Sequence, residues 1–206
     1  MPQITSGPRS ILDRPTVYSL LQNLVGARKA RRAIVDDYAR PKSGESVLDI
    51  GCGPADILEF LPDVQYYGFD LSTAYIETAR RRYGSRGTFR DQDVTTADLA
   101  GLPRFDLVLT LFSLHHLADP EVQGLFTLAA RQLKSGGRMV TIDPCLIEGQ
   151  HPIARWLILR DRGQNMRSPE GYAALARPVF SRVELSTRDD LLNIPYNHAI
   201  LHCQNV

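Results

Sequence analysis

The sequence predicts an α/β fold: a seven-stranded, mostly parallel sheet with helices on both faces and a reversed last strand. Three observations carry this prediction. Five short apolar segments alternate with helical ones, the pattern of a sheet buried on both faces. Glycine-bearing turns and single carboxylates fall where those strands end. The last two strand segments are joined by only DDLLNIPYN (189–197), too short for a crossover helix, so the final strand runs antiparallel.

The elements follow in order. Val17, Leu20, Leu21 and Leu24 form a helical apolar stripe, which predicts a helix over 16–39 that stops at Arg40 and Pro41. SVLDIG (46–51) reads as a buried strand, followed by a glycine turn and a helix over 55–61. YYGFDL (66–71) is the second strand, and Ser72 caps a helix running to Arg82. TFRDQDV (88–94) and FDLVLTLF (105–112) are the third and fourth strands. A helix over 121–133 closes at Lys134-Ser135-Gly136-Gly137 and leads into the strand RMVTID (138–143). Helices over 152–162 and 169–176 precede the final strands 180–187 and 198–204.

A length of 206 residues suits one domain. With 24 basic and 23 acidic side chains there is no electrostatic footprint of phosphate-backbone binding, so no nucleic-acid partner is expected. Cys52, Cys145 and Cys203 lie far apart without paired spacing, which predicts neither a disulfide framework nor a metal site and fits a reducing, cytoplasmic setting. No run of apolar residues is long enough to span a bilayer, so membrane insertion is not expected.

Chemistry concentrates at the strand ends. Gly51 and Gly53, flanking Cys52, stand where strand turns to helix and let a ligand approach the backbone, though a plain turn uses glycine in the same way. A dinucleotide fingerprint would place a third glycine where this chain has Asp56. Asp49 beside that turn would repel a pyrophosphate and suit a ligand carrying an ammonium group. Asp70 ends the second strand 19 positions after Gly51, the separation at which a carboxylate accepts from two ribose hydroxyls; the alternative is a helix cap. Asp93 is placed to accept from an exocyclic adenine amine, with the Val94 N–H facing a ring nitrogen, and Asp91 competes for that role.

Taken together, VLDIGCG (47–53), Asp70, Asp93, FDLVLTLFSLHHLAD (105–119) and LKSGGRMVTID (133–143) resemble, in order and spacing, the successive motifs of class I (Rossmann-like) S-adenosylmethionine-dependent methyltransferases. The resemblance implies a cofactor-binding core over 46–144, with a helical lid over 1–45 and an acceptor-side segment over 145–206. It implies that Gly51, Cys52 and Gly53 flank the methionine part of S-adenosylmethionine and that Asp70 with Leu71 meets the ribose end. It further implies that Asp93 and Val94 bind adenine and that the Leu111 carbonyl meets the amino group.

The expected partner is a small-molecule methyl acceptor, most simply a hydroxyl compound. In phenolic O-methyltransferases of plants, a general-base histidine sits nine residues after the acidic residue that opens the fourth strand. His115 holds that offset from Asp106, but the Asp-Trp pair that follows the base there is replaced by His116-Leu117. His115 and His116 are thus either catalytic or shape the pocket floor. Arg28 shares the helix face of Val17, Leu21 and Leu24, where it would meet a cofactor carboxylate unless Gly26 breaks the helix and turns it outward. Tyr196 and His198 are expected at the ligand-binding sheet edge, and Trp156, Met166 and Tyr172 at the acceptor pocket wall, although these types are also ordinary core residues. NIPYN (193–197) resembles the Asn-Leu-Pro-Tyr motif of ribosomal RNA adenine-N6 methyltransferases, which follows the fourth strand in that family. Here LFSLHH occupies that place.

Overall fold

The computed structural model describes residues 25–161, 163 and 165–205. β1 (Ser46–Ile50) is buried at every position, as a strand covered on both faces must be. It pairs in parallel with β2 (Gln65–Phe69) on one side and β4 (Phe105–Leu111) on the other. β3 (Gly87–Arg90) extends the sheet beyond β2, and β5 (Leu133–Pro144) beyond β4. β7 (His198–Gln204) lies antiparallel between β5 and β6 (Arg182–Arg188), giving the order β3-β2-β1-β4-β5-β7-β6. The expected seven-stranded sheet with one reversed strand is observed.

Side-chain alternation along the strands divides the apolar residues into two clusters, one on each face. Val47, Leu107, Leu109, Val140 and Ile142 pack with α1 (Ala27–Ala33), its π-helical continuation Ile34–Ala39, and α2 (Thr73–Tyr83). Leu48, Ile50, Val108 and Met139 pack with α3 (Asp119–Gln132) and α5 (Pro169–Ala176). Ser72 caps α2 through its side chain, which accepts from the Tyr75 N–H, and Ser168 caps α5 by accepting from the Gly171 N–H. No helix among the described residues is long and apolar enough to cross a membrane.

Several elements differ from the sequence expectation. The helix expected over 55–61 is a single 3-10 turn, Asp56–Glu59. Its entry is spent on the left-handed Gly51, Gly53 and Ala55, and Pro62 stands just beyond it. β3 ends at Arg90, four residues early, so Asp93 and Val94 lie in the following turn. Lys134–Gly137 do not end a helix outside the sheet. They form an irregular entry to β5, where the pairing register with β4 shifts and Gly136 takes φ 73°. The helix expected over 152–162 is α4 (Pro152–Ile158). Of the helix expected over 16–39, residues 16–24 lie outside the described residues; among the described ones the helix begins after Gly26, its N-cap, which has φ 91°.

Candidate cofactor and acceptor site

The strand order reverses between β1 and β4, and in an open α/β sheet the crevice at the carboxyl ends of two such strands is where ligands bind. In this crevice the two chain segments leaving the sheet almost touch. A Cβ on Gly51, which has φ 74°, would lie 2.4 Å from Ser113 Oγ, so neither the dihedral nor the space admits another residue. Phe112, at φ 57°, makes the matching sharp exit from β4 and is anchored by donating its N–H to the Ile142 carbonyl at 2.7 Å.

Asp49 is 1% exposed. Its Oδ2 accepts from Tyr66 OH at 2.5 Å, while its Oδ1 is buried without a hydrogen-bond partner. Burial raises this carboxyl to about 7; the Tyr66 hydrogen bond opposes the rise and nearby Asp70 adds to it. A buried, unmatched carboxylate oxygen costs about 1–3 kcal/mol or more, a cost that a cationic ligand group at the glycine turn would relieve. The donor set thus fits an ammonium-bearing ligand. Cys52 is half-buried between Gly51 and Gly53, and burial pushes its thiol far up, so it is no nucleophile.

Asp70 follows β2 at the same edge. Its Oδ2 accepts from the Gly53 N–H at 2.9 Å and its Oδ1 from the Ser72 N–H at 2.8 Å. The two proposals for Asp70, ligand contact and turn support, are therefore compatible, because each carboxylate oxygen keeps a second lone pair. Asp70, Leu71, Asp93, Val94, Ser113 and His116 share a groove of about 1670 Å³ that also reaches Gly51. Leu71 is 55% exposed on its wall. Asp93 Oδ1 accepts from the Thr95 N–H and Oγ1 at 2.9 and 2.7 Å, a turn that fixes the carboxylate. Asp91, its competitor, is drawn away by Arg80 at 3.4 Å. The Leu111 carbonyl accepts from Ser113 Oγ at 3.2 Å.

His115 and His116 occupy a 3-10 turn just after β4, their rings 4.0 Å apart. His116 lines the groove, whereas His115 is 3% exposed. His115 Nδ1 lies 2.7 Å from Asp143 Oδ1, at the end of β5, and Nε2 lies 3.7 Å from Asp161 Oδ1. Burial alone would lower the His115 pKa, but the hydrogen bond to Asp143 and then the nearby Asp161 carboxylate outweigh it and raise it to about 9. Burial pushes the Asp143 carboxyl up, while the His115 ring and the His115 backbone N–H, which Asp143 accepts at 3.1 Å, oppose that rise. The raised His115 pKa favours a protonated ring beside Asp143. A general base must be unprotonated, so the raised pKa works against the base reading of His115 and leaves the pocket-shaping one open.

Arg28 takes the outward alternative, pairing with Glu59 at 2.6 Å and covering the Phe60 ring from α1, which begins after Gly26. Trp156 is 53% exposed on α4 with Arg160 over its ring, and it is not among the residues lining the groove. Tyr196 and His198 do reach the sheet edge: His198 pairs with Pro144, and Tyr196 OH donates to Asp161 Oδ2 at 2.6 Å. His198 is fully buried between the rings of Phe112 and Tyr196, neither of its nitrogens is hydrogen bonded, and burial pulls its pKa down to about 4. NIPYN has a packing role, with the Asn193 N–H donating to the Val25 carbonyl at the start of α1.

Tyr66, Ser113, Asp143 and Asp161 were not singled out from the sequence. Asp143 alone had a signal there, as another carboxylate closing a strand. The other three are joined to the site only by the sheet register and the path of the chain after α4.

Residues 47–137 match the family model described as a methyltransferase domain. A ubiquinone biosynthesis O-methyltransferase of Brucella anthropi is 30% identical over 175 residues, covering 77% of this chain and 66% of that one. Aklanonic acid methyltransferase of a Streptomyces species is 32% identical over 126 residues, covering 56% of each chain. Human N-acetylserotonin methyltransferase, solved with S-adenosylmethionine, superposes with a TM-score of 0.67 at 19% identity, covering 96% of this chain and 59% of that one. The chain spans 39% to 66% of the length of the first curated relatives it matches. With the sheet order, the glycine turn and the strand-end carboxylates, these matches place the chain in the class I S-adenosylmethionine-dependent methyltransferases.

Proposed function

We propose that this chain binds S-adenosylmethionine in the groove at the carboxyl ends of β1, β2 and β4 and transfers its methyl group to an oxygen of a small-molecule acceptor. The observation that carries the reading is Asp49: a buried carboxylate oxygen without a partner beside a glycine turn calls for a cationic group and disfavours a pyrophosphate. Asp49 and the Leu111 carbonyl hold the amino group, Gly51, Cys52 and Gly53 the methionine chain, and Asp70 the ribose. Leu71, Asp93 and Val94 hold the adenine. When bound, the sulfonium supplies an activated methyl donor.

The protein's contribution is to hold donor and acceptor in line and to exclude water, which itself supplies much of the rate enhancement. Tyr196 and His198, at the start of β7, border the acceptor side. One of the curated relatives named above, the ubiquinone biosynthesis O-methyltransferase, supports an oxygen acceptor by its name. The near-balance of 24 basic and 23 acidic residues favours a small molecule over RNA.

The test is calorimetric titration with S-adenosylhomocysteine and NAD, followed by a methyl-transfer screen over hydroxylated aromatic compounds. Tight binding of S-adenosylhomocysteine without NAD binding is expected. Preference for NAD would overturn the reading.

A further inference from the structure

The groove that holds Asp70 and Asp93 continues well past them. α3 runs back from the carboxyl edge of the sheet, where β4 ends, to the amino edge, where β5 begins. The groove follows it from Glu121 to Gln132, between the helix and the segment 92–104. That is about 16 Å of helix. The volume of about 1670 Å³ also exceeds the range of roughly 300–1,000 Å³ usual for a site that takes one small ligand.

The two ends of the groove differ in charge. At the crevice end stand Asp70, Asp93 and Glu121, the last accepting from the Ala118 N–H. At the far end stand Arg104 and Arg131, brought together because Phe105, which opens β4, pairs with Leu133, which opens β5. Both arginines are exposed, and neither guanidinium has an ion-pair, hydrogen-bond or ring partner among the described residues. Between the ends the lining is apolar, with Leu99 and Leu102 from the 92–104 segment and Leu125 and Leu128 from α3. Midway along the helix lies the exposed Gly124, where an added Cβ would meet nothing within 4 Å. A glycine inside a helix costs about 0.5–1 kcal/mol relative to alanine, and no contact among the described residues requires this one. Its missing side chain leaves width in the groove.

We propose that the far half of the groove is a second binding site, separate from the cofactor crevice, for a linear apolar carboxylate whose chain lies along Leu102, Gly124 and Leu128 and whose anionic end sits between Arg104 and Arg131. An apolar channel closed by two unpaired cations suits a ligand with an apolar body and one negative end. A peptide or nucleic-acid strand would set its many polar backbone groups against the leucines without partners. The acidic crevice end repels the same carboxylate that the arginines attract, which fixes the direction in which the ligand lies. The second site does not depend on what the crevice binds.

The test is calorimetric titration of the full chain with dodecanoate below its micellar range, with and without saturating S-adenosylhomocysteine. Dodecanoate is expected to bind at a single site in both titrations, and dodecyltrimethylammonium, with the same chain and the opposite charge, about tenfold more weakly or worse. Arg104→Gln combined with Arg131→Gln is expected to weaken dodecanoate about tenfold or more, as the loss of charge-assisted hydrogen bonds would. Gly124→Leu fills the channel and is expected to weaken it about as much, while the thermal midpoint holds or rises because a helix glycine has been replaced. All three positions are exposed, so the variants should fold, and their affinity for S-adenosylhomocysteine should match that of the unmutated chain.

Equal binding of the cationic chain would reduce the groove to a merely apolar surface. Displacement of dodecanoate by S-adenosylhomocysteine would place it in the crevice, and full affinity in either variant would place it elsewhere on the chain. A dimer in sedimentation that Gly124→Leu disperses, with no dodecanoate bound, would give the groove to a second copy. Each of these results, like the absence of any binding, overturns the proposal. A chain that shows the expected dodecanoate responses and ignores S-adenosylhomocysteine keeps the second site and loses the cofactor reading.

Discussion

Asp49 shows how one side chain ties burial to ligand chemistry. Its carboxyl, raised to about 7 by burial, is partly protonated in the unliganded chain near neutrality. A ligand ammonium group favours the ionised form, so binding draws the pKa down and releases a proton. Affinity for S-adenosylhomocysteine is therefore expected to rise with pH through about 7, by roughly tenfold from pH 6 to pH 8. Calorimetry in buffers of different ionisation enthalpy should register the released proton. Asp49→Asn should flatten the profile; a pH-independent affinity in the unmutated chain would remove Asp49 from the amino-group site. Asp70 makes the complementary case, since its charge is already shared with the Gly53 and Ser72 N–H groups. Asp70→Ala is expected to cost about 2–4 kcal/mol of cofactor affinity, as two charge-assisted hydrogen bonds would. An unchanged dissociation constant in a folded variant would restrict Asp70 to supporting the turn.

Among the elements, the meeting of the β1 and β4 exits decides whether the crevice exists. Gly51→Ala forces an L residue into φ 74° and sets a methyl group 2.4 Å from Ser113 Oγ, so a loss of about 2 kcal/mol or more in stability is expected, together with weaker cofactor binding. Adding Ser113→Ala removes the overlapping oxygen and not the dihedral strain. The double variant should recover part of the loss, and thermal melts that show simple additivity would argue against the close approach. The strands themselves were legible in the sequence because buried β segments such as SVLDI and FDLVLTL are short apolar runs that local pattern exposes. The 3-10 turn at Asp56–Glu59 was not, because Ala55 adopts φ 58° under tertiary constraint and alanine carries no local signal for it. The placing of Asp49, Gly51 and Asp70 at the strand ends was likewise legible from position alone, whereas the environment of His115 depends on Asp143 and Asp161, 28 and 46 residues away, and on burial that no spacing encodes.

At the scale of the whole molecule, the segment after β5 must be held against the crevice for an acceptor to meet a bound cofactor, and Arg167 is the tie. Its guanidinium donates to the backbone carbonyls of Leu114, Leu117 and Asn165 and pairs with Asp119 at 2.6 Å, although its own side chain is only 10% exposed. The Arg167 backbone carbonyl meanwhile accepts from the Leu146 N–H. One side chain thus joins the turn that carries His115, the start of α3 and the segment after β5. Arg167→Ala would leave three carbonyls short of a donor without removing any group from the cofactor groove. Cofactor affinity is expected to change by less than about threefold, while acceptor turnover falls by about tenfold or more, since misplacing an acceptor by about 1 Å is enough for such a loss. Amide hydrogen exchange should quicken in residues 145–167 and stay unchanged in β1 and β4. If cofactor affinity and turnover fell together with uniform loss of protection, Arg167 would be a prop of the whole fold, and the acceptor segment would have no separate tie.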